Sequence, residues 1–255
     1  MMGLLDGKVV IVTGGGHGIG KAYCLGIARE GGTSVVADID EPAAIGIAKA
    51  IADSGGKALA AKVDVANAAS CQDMAKSTLD TYGKIDGLIN NAAIFMSVPA
   101  ERGSLQTITE AEWDKIMSVN VKGLWLCAKA VVPAMQQRKE GSIVNISSNM
   151  AFNGGLGMMH YVVSKAAVVG FSRVLAREIG GDNIRVNTLA PGLTMSEEKP
   201  TDEAVRNYER SASTRVLKRI ERPEDLVGTA LYLLSDLSKF VTGQVILVNG
   251  GAVLH

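Results

Sequence analysis

The sequence predicts an α/β fold built on a doubly wound parallel sheet, and three observations predict it. Short runs rich in β-branched and apolar residues alternate with longer helix-like stretches along the whole chain. Most of those runs are near-continuously apolar, as in strands covered on both faces, and do not alternate as a half-exposed sheet would. At 255 residues, 47% apolar, 4% aromatic and with 29 glycines, the chain can bury one large core and make tight turns between closely packed helices.

The strand candidates, in order, are KVVIVTG (8–14), TSVVADI (33–39), KALAAKVDV (57–65), IDGLINNA (85–92), GSIVNISS (141–148), NIRVNTLAP (183–191) and GQVILVNGG (243–251). Helical stretches such as GIGKAYCLGIAREGG, EPAAIGIAKAIADSGG and SCQDMAKSTLDTYG lie between them. No linker, repeat or low-complexity segment divides the chain, so a single domain over 1–255 is expected. The stretch 194–225 is dense in charge and breaks the strand rhythm. It reads either as a solvated surface excursion or as a lid over a site, at about 194–222.

The 26 basic and 26 acidic residues balance, leaving no basic stripe for nucleic acid and no polybasic tail for an anionic membrane. Cys24, Cys71 and Cys127 are scattered without metal-ligand spacing and read as buried small hydrophobes in a reducing compartment. No metal site is expected. The N-terminal stretch lacks a basic region and cleavage site, and no apolar run reaches spanning length, so a cytoplasmic protein is expected.

VVIVTGGGHGIGKA places a glycine-rich turn between the first strand and the first helix. Glycines let a ligand approach the backbone, and the helix N-terminus offers free N–H groups to a phosphate. Gly15 to Lys21 begins like a P-loop, but Ala22 stands where Ser or Thr should hold magnesium. What is present is Gly14, Gly18 and Gly20, spaced G-x-x-x-G-x-G. SVVADID ends on Asp38, about twenty residues beyond the turn, where a carboxylate can accept from both hydroxyls of an adenosine ribose and repel a 2′-phosphate. An Asp after a strand can equally be a turn or cap residue. Position, strand and turn together favour the ribose, and NAD over NADP; His17 is the nearest candidate for a 2′-phosphate partner.

Tyr161 and Lys165 interrupt an otherwise apolar helical run, MMHYVVSKAAVVGFSRVLARE. Four residues apart, they share one helix face. Taken alone, the pair is either a helix edge from which Lys165 reaches water, or a phenol and an ammonium meeting at a shared ligand.

Together these residues resemble the short-chain dehydrogenase/reductase family over essentially the whole chain. TGGGHGIG (13–20) resembles its glycine turn, DV (64–65) its adenine-contacting strand end, and NNAA (90–93) its NNAG segment. VN (119–120), SIVNISS (142–148), YVVSK (161–165) and PGLT (191–194) fall in family order. The resemblance implies a Rossmann-type seven-stranded parallel sheet in the order 3-2-1-4-5-6-7, and Asn120, Ser148, Tyr161 and Lys165 as catalytic residues. Ser148, thirteen residues before Tyr161, is preferred over Ser147. It also implies an NAD site drawn from Gly14, His17, Gly18, Ile19, Asp38, Asp64, Val65, Asn91, Tyr161, Lys165, Pro191, Gly192 and Thr194. Ala93 and Asn249 depart from the family pattern, where Gly and Asp are usual. In the implied chemistry Tyr161 takes the proton of an alcohol, with Lys165 and the oxidised nicotinamide lowering the phenol pKa. Ser148 orients the substrate oxygen, and the Asn120 region positions water in a relay. An NAD-sensing or scaffold protein on the same fold is the alternative.

Phe95, Met96, Met150, Phe152, Met158 and Met159 suggest an apolar pocket for an alicyclic or aromatic secondary alcohol or ketone. His160 is expected to point elsewhere or to sit at the rim, and no Arg or Lys cluster suggests a phosphate or CoA site. The excess apolar surface of 108–138, with Trp125, Leu126 and Val132, and of the Tyr161 helix is expected to be buried in a homotetramer, as the resemblance implies.

Overall fold

The computed structural model describes residues 3–95, 103 and 105–254. Its strands are β1 (Val9–Thr13), β2 (Thr33–Asp38), β3 (Lys57–Lys62), β4 (Gly87–Asn90), β5 (Gly141–Ile146), β6 (Ile184–Pro191) and β7 (Val245–Val248). The helices are α1 (Gly18–Arg29), α2 (Glu41–Asp53), α3 (Ala68–Tyr82), α4 (Glu110–Met117), α5 (Leu124–Arg138), α6 (Met150–Asn153), α7 (Met159–Ile179), α8 (Asp202–Thr214) and α9 (Glu224–Leu234). All seven strands form one parallel sheet in the order β3-β2-β1-β4-β5-β6-β7, as expected. The strands are shorter than the apolar runs because pairing ends where the chain turns. β3 stops at Lys62, so Asp64 and Val65 lie in the loop that follows.

Alternate residues of each strand feed opposite cores. Val9 and Ile11 of β1 join Val35 and Ala37 of β2 against Met74 of α3, Val131 of α5 and Ile179 of α7. Val10, Val12 and Val36 face the other way, against Ile27 of α1, Ile51 of α2 and Leu226 of α9. Fully covered strands tolerate no polar face, which is why their sequences read as continuous apolar runs.

Between β1 and β4 the chain order reverses, and α1 packs on one face while α3 and α5 pack on the other. A crevice must open at the carboxyl ends of these strands. Buried polar bonds then fix α7 against the sheet. Asn90 Nδ2 donates to Asn145 Oδ1 at 2.9 Å, and Asn145 Nδ2 donates to Ser172 Oγ at 2.9 Å.

A π turn, Ser118–Gly123, joins α4 to α5. The continuous helix Glu110–Arg138, 29 residues, is by length and composition apolar enough to cross a membrane. That corrects the expectation that no run reaches spanning length, because the π turn carries the helix on without interruption from α4 into α5. Its Leu126, Cys127, Val131 and Met135 are buried in the core beneath the sheet, as a packed core helix requires. Leu126 is therefore unavailable to an interface, against expectation, whereas Trp125 is 46% exposed. The charged excursion is not irregular throughout. It contains α8, capped by Thr201, whose hydroxyl accepts from the Ala204 N–H at 3.2 Å.

Candidate active site

A cleft of about 1310 Å³ lies over the carboxyl ends of the strands. Its floor begins at the glycine turn. Gly14 and Gly18 have φ of +65° and +48°, which side chains disfavour. A Cβ on Gly20 would lie 1.9 Å from the Gly14 carbonyl oxygen, so the turn can close only on glycine. His17 precedes α1 without a side-chain cap, leaving its first amides to a ligand. Asn91, at the end of β4, donates from Nδ2 to the Thr13 and Gly14 carbonyls at 3.0 and 3.2 Å, locking the turn to the neighbouring strand. Thr13, whose role no local pattern marks, accepts through Oγ1 from the Asn91 and Ala92 amides, both at 3.1 Å.

Asp38 is buried at the end of β2 and lines the cleft. Its Oδ2 accepts from the Gly16 amide at 2.9 Å and its Oδ1 from the Asp40 amide at 3.0 Å. A Cβ on Gly16 would sit 3.0 Å from Asp38 Oδ2, so this glycine keeps the carboxylate clear. Asp40, Asp64 and Val65 line the same end of the cleft, with Ile19 close by in sequence to the turn. His17 is not free to receive a 2′-phosphate, since its Nε2 lies 2.9 Å from Asp40 Oδ2. The glycine turn, the uncapped amides and the aimed carboxylate fit a dinucleotide.

At the other end, Tyr161 and Lys165 project from the first turns of α7, buried, with Ser148 in the loop after β5. Ser148 stands near enough to the Tyr161 phenol to favour its ionised form. Ser147 lines the cleft too but donates to the Lys165 carbonyl at 2.7 Å, whereas Ser148 Oγ accepts from the Met150 amide at 3.2 Å. Lys165 Nζ donates to the Ile146 carbonyl at 2.9 Å and lies 5.8 Å from the centre of the Tyr161 ring. Burial pulls its pKa down to about 8. Burial also pushes the Tyr161 phenol above the ordinary tyrosine value, against a smaller lowering from Ser148. The expected lowering is thus not a property of the protein on its own; Lys165 spends a hydrogen bond on the strand and does not reach the ring closely.

Asn120 sits in the π turn between α4 and α5, buried. It does not line the cleft. The π turn directs its side chain inward, where Oδ1 accepts from the Ile94 amide at 2.7 Å and Nδ2 donates to Ser164 Oγ at 3.1 Å. Ser164 in turn donates to the Tyr161 carbonyl at 2.7 Å, so Asn120 braces α7 beside the site.

Pro191, the last residue of β6, and Gly192 and Thr194 beyond it line the cleft. The chain beyond crosses the glycine turn, with Ser196 packed on Gly18 and Lys21 Nζ 2.7 Å from Glu198 Oε1. α8 then presents Ala204, Asn207, Tyr208 and Ser211 to the cleft, one stripe of its surface. The Phe95 ring centre lies 4.7 Å from that of Tyr161, the rings tilted by 40°, and Met150 and Met158 line the wall. Phe152 and Met159 do not line it, and Met96 lies outside the described residues. Met159 is 40% exposed because it falls on the outer side of α7. His160 is buried away from the cleft. Lys115 and Arg210, distant in sequence and so invisible as a cluster, both line the cleft. Ala93 lines it as well, while Asn249 is occupied in the final turn, accepting from the Gly251 amide at 2.9 Å. The three cysteines are free and buried, and no metal-holding group occurs among the described residues.

Residues 14–253 match a family model described as enoyl-(acyl carrier protein) reductase. A probable short-chain type dehydrogenase/reductase of Bradyrhizobium diazoefficiens is 41% identical over 100% of this chain and 90% of its own. The chain belongs to the short-chain dehydrogenase/reductase family. A 3-oxoacyl-[acyl-carrier-protein] reductase of Thermotoga maritima is 36% identical over 98% of this chain and 99% of its own. A (2S)-[(R)-hydroxy(phenyl)methyl]succinyl-CoA dehydrogenase subunit of Thauera aromatica is 38% identical, covering 98% of both chains. Short-chain dehydrogenases/reductases are oxidoreductases that work with a nicotinamide cofactor, and this chain is one of them.

The depressed Lys165 pKa has a measurable consequence. Between its folded value of about 8 and its ordinary value of 10.5, the unfolded chain holds a proton at this side chain that the folded one has released. Stability from this group therefore rises with pH across that window and levels off below it. Urea unfolding should show the wild type gaining on Lys165→Met from pH 8 upward, by at most about 3 kcal/mol. A difference that shrinks with rising pH would contradict the buried, depressed ammonium.

Proposed function

We propose that the protein is an NAD-dependent oxidoreductase interconverting a secondary alcohol and its ketone on an apolar alicyclic or aromatic skeleton. The observation that carries this is the convergence of Ser148, Tyr161 and Lys165 in the same cleft as the glycine turn and Asp38. Gly14, Gly18, Ile19 and the first amides of α1 would hold the pyrophosphate, with Asn91 bracing the turn. Asp38 would accept from the adenosine ribose, Asp64 and Val65 would flank the adenine, and Pro191, Gly192 and Thr194 would cover the nicotinamide. When bound, the nicotinamide supplies the hydride chemistry.

The protein's own work is proton transfer and orientation. Ser148 Oγ donates to the substrate oxygen and holds it against the Tyr161 phenol. Tyr161 Oη accepts the hydroxyl proton in oxidation and returns it in reduction. Because burial opposes a phenolate here, cationic charge beside the ring is needed for proton removal; Lys165 contributes one, and it also lies where it can hold the nicotinamide ribose. Asn120 positions α7 through Ser164. Phe95, Met150 and Met158 favour an apolar substrate, and the segment from 194 to 222, with α8, acts as a lid.

Lys115 and Arg210 favour a second reading, in which the substrate is an acyl thioester whose carrier phosphates meet these cations at the cleft. Two relatives are named for acyl carrier protein and CoA substrates. A panel of apolar secondary alcohols beside 3-hydroxyacyl thioesters, followed by NADH absorbance, separates the readings.

Tyr161→Phe keeps the ring and removes the proton acceptor, so turnover should fall by at least about 10²-fold while cofactor binding persists. Near-normal turnover in the folded variant would refute this assignment.

Cofactor choice follows from charge. A 2′-phosphate would meet Asp38 with Asp40 and Asp64 lining the same cleft, so NAD should be preferred. Asp38→Ser should narrow that preference, mainly by weakening NAD. Wild-type protein that binds NADPH more tightly than NADH in a fluorescence titration would overturn the reading.

A homotetramer is proposed on the apolar surface left bare. Trp125 is 46% exposed, with Val163 and Val174 on α7 at 39% and 57%. Val132 is half-buried against the protein's own core. Near β7, which is an edge strand, Phe240 is fully exposed. Two such faces in closed symmetry give a tetramer. Light scattering should give about four times the 26.7 kDa chain mass, and an active monomer would exclude the assembly.

A further inference from the structure

Arg215 and Glu221 belong to the charged excursion, yet they are buried, at 2% and 4% exposure. Both are spent on three consecutive residues that line the cleft. Glu221 Oε1 accepts from the Gly192 amide at 3.0 Å and from Thr194 Oγ1 at 2.7 Å. Arg215 Nη2 donates to the Leu193 carbonyl at 2.6 Å. The two side chains meet each other at only 3.6 Å, Nη1 to Oε2, longer than a hydrogen bond. Arg215 Nε and Glu221 Oε2 have no hydrogen-bond partner. A Cβ on Gly192 would lie 2.6 Å from Glu221 Oε2, so the carboxylate sits directly on bare backbone.

Burying two charges costs several kcal/mol, and an apolar pair of similar volume is often as stable. An ion pair placed for stability would take its shortest bonds within the pair. Here the shortest bonds go to the backbone and side chain of 192–194. We infer that Arg215 and Glu221 are positioning residues that preshape Gly192–Thr194 to receive the nicotinamide half of the cofactor. Their effect should therefore fall on that half and spare the adenosine half, which meets the protein at Asp38. This rests on the dinucleotide reading of the cleft.

ADP-ribose shares every part of NADH except the nicotinamide, so comparing the two isolates the effect. Glu221→Gln alone leaves a buried guanidinium uncompensated, so the neutral double variant Arg215→Met/Glu221→Gln is the one to use. Calorimetric titration should show NADH binding weakened by about tenfold or more, with ADP-ribose within about twofold of wild type. Equal weakening of both ligands, or of neither, would overturn the inference. Wild-type protein that binds neither ligand would overturn the dinucleotide reading itself. Hydrogen exchange on the wild type gives a readout independent of any variant. The peptide spanning 192–196 should exchange as slowly as β6 before any ligand is added, and NADH but not ADP-ribose should slow it further. Rapid exchange in the free protein, or equal slowing by both ligands, would overturn the preshaped segment.

Discussion

The return of the chain from β3, at one edge of the sheet, to β4, beside β1, is the constraint from which the rest follows. Parallel strands send all their carboxyl ends to one side, and right-handed crossovers put the helices before and after the reversal on opposite faces. The loops after β1 and β4 must therefore part, and the crevice between them is the cleft. The glycine turn belongs to the β1 side and Asn91 to the β4 side. The Asn91 bonds to Thr13 and Gly14 stitch the two sides at the single place where they would otherwise separate.

Around that crevice the polar side chains of the interior are not errors of patterning. An unpaired buried amide or hydroxyl costs about 1–3 kcal/mol, and pairing along the ladder avoids most of that cost, with Asn90 Oδ1 alone of its members left without a partner. Asn90, Asn145 and Ser172 tie α7 to β4 and β5; Asn120 and Ser164 tie its first turn to the chain after β4. These bonds fix the rotation of α7. That rotation decides whether Tyr161 and Lys165 face the cleft or the core. The buried ammonium is the costliest member, and its single bond to Ile146 leaves it depressed toward neutrality and open to a ligand.

The segment after β6 shows the same economy. Gly192 to Thr194 take bonds from Arg215 and Glu221 beside the Gly192 amide's own bond to the Val248 carbonyl at 3.1 Å, and the chain beyond them folds back across the glycine turn to Lys21. One charged stretch thus serves two purposes: its buried pair shapes the cleft wall, and its surface residues close over the turn.

How much of this was legible in the sequence depended on range. Strands, the glycine turn, Asp38 and the Tyr161–Lys165 face are local patterns, because backbone sterics and helix periodicity act over a few residues. Even there, run lengths overstated strand lengths, since apolarity continues past the last paired residue. What needed the tertiary structure was every choice that depends on a distant partner. Ser148 and Ser147 are neighbours with the same chemistry, separated only by which one the α7 backbone claims. Asn120 turned inward because Ile94 and Ser164 satisfy it, and Leu126 and Trp125, adjacent in sequence, parted between core and surface by helix rotation. Lys115 and Arg210 came to line one cleft only through folding. By itself the sequence determined the fold class and the kinds of chemical group at the cleft, because those follow from local periodicity and residue type. Which groups are free to act was decided by the tertiary structure alone, because burial and hydrogen-bond competition are properties of the packed chain.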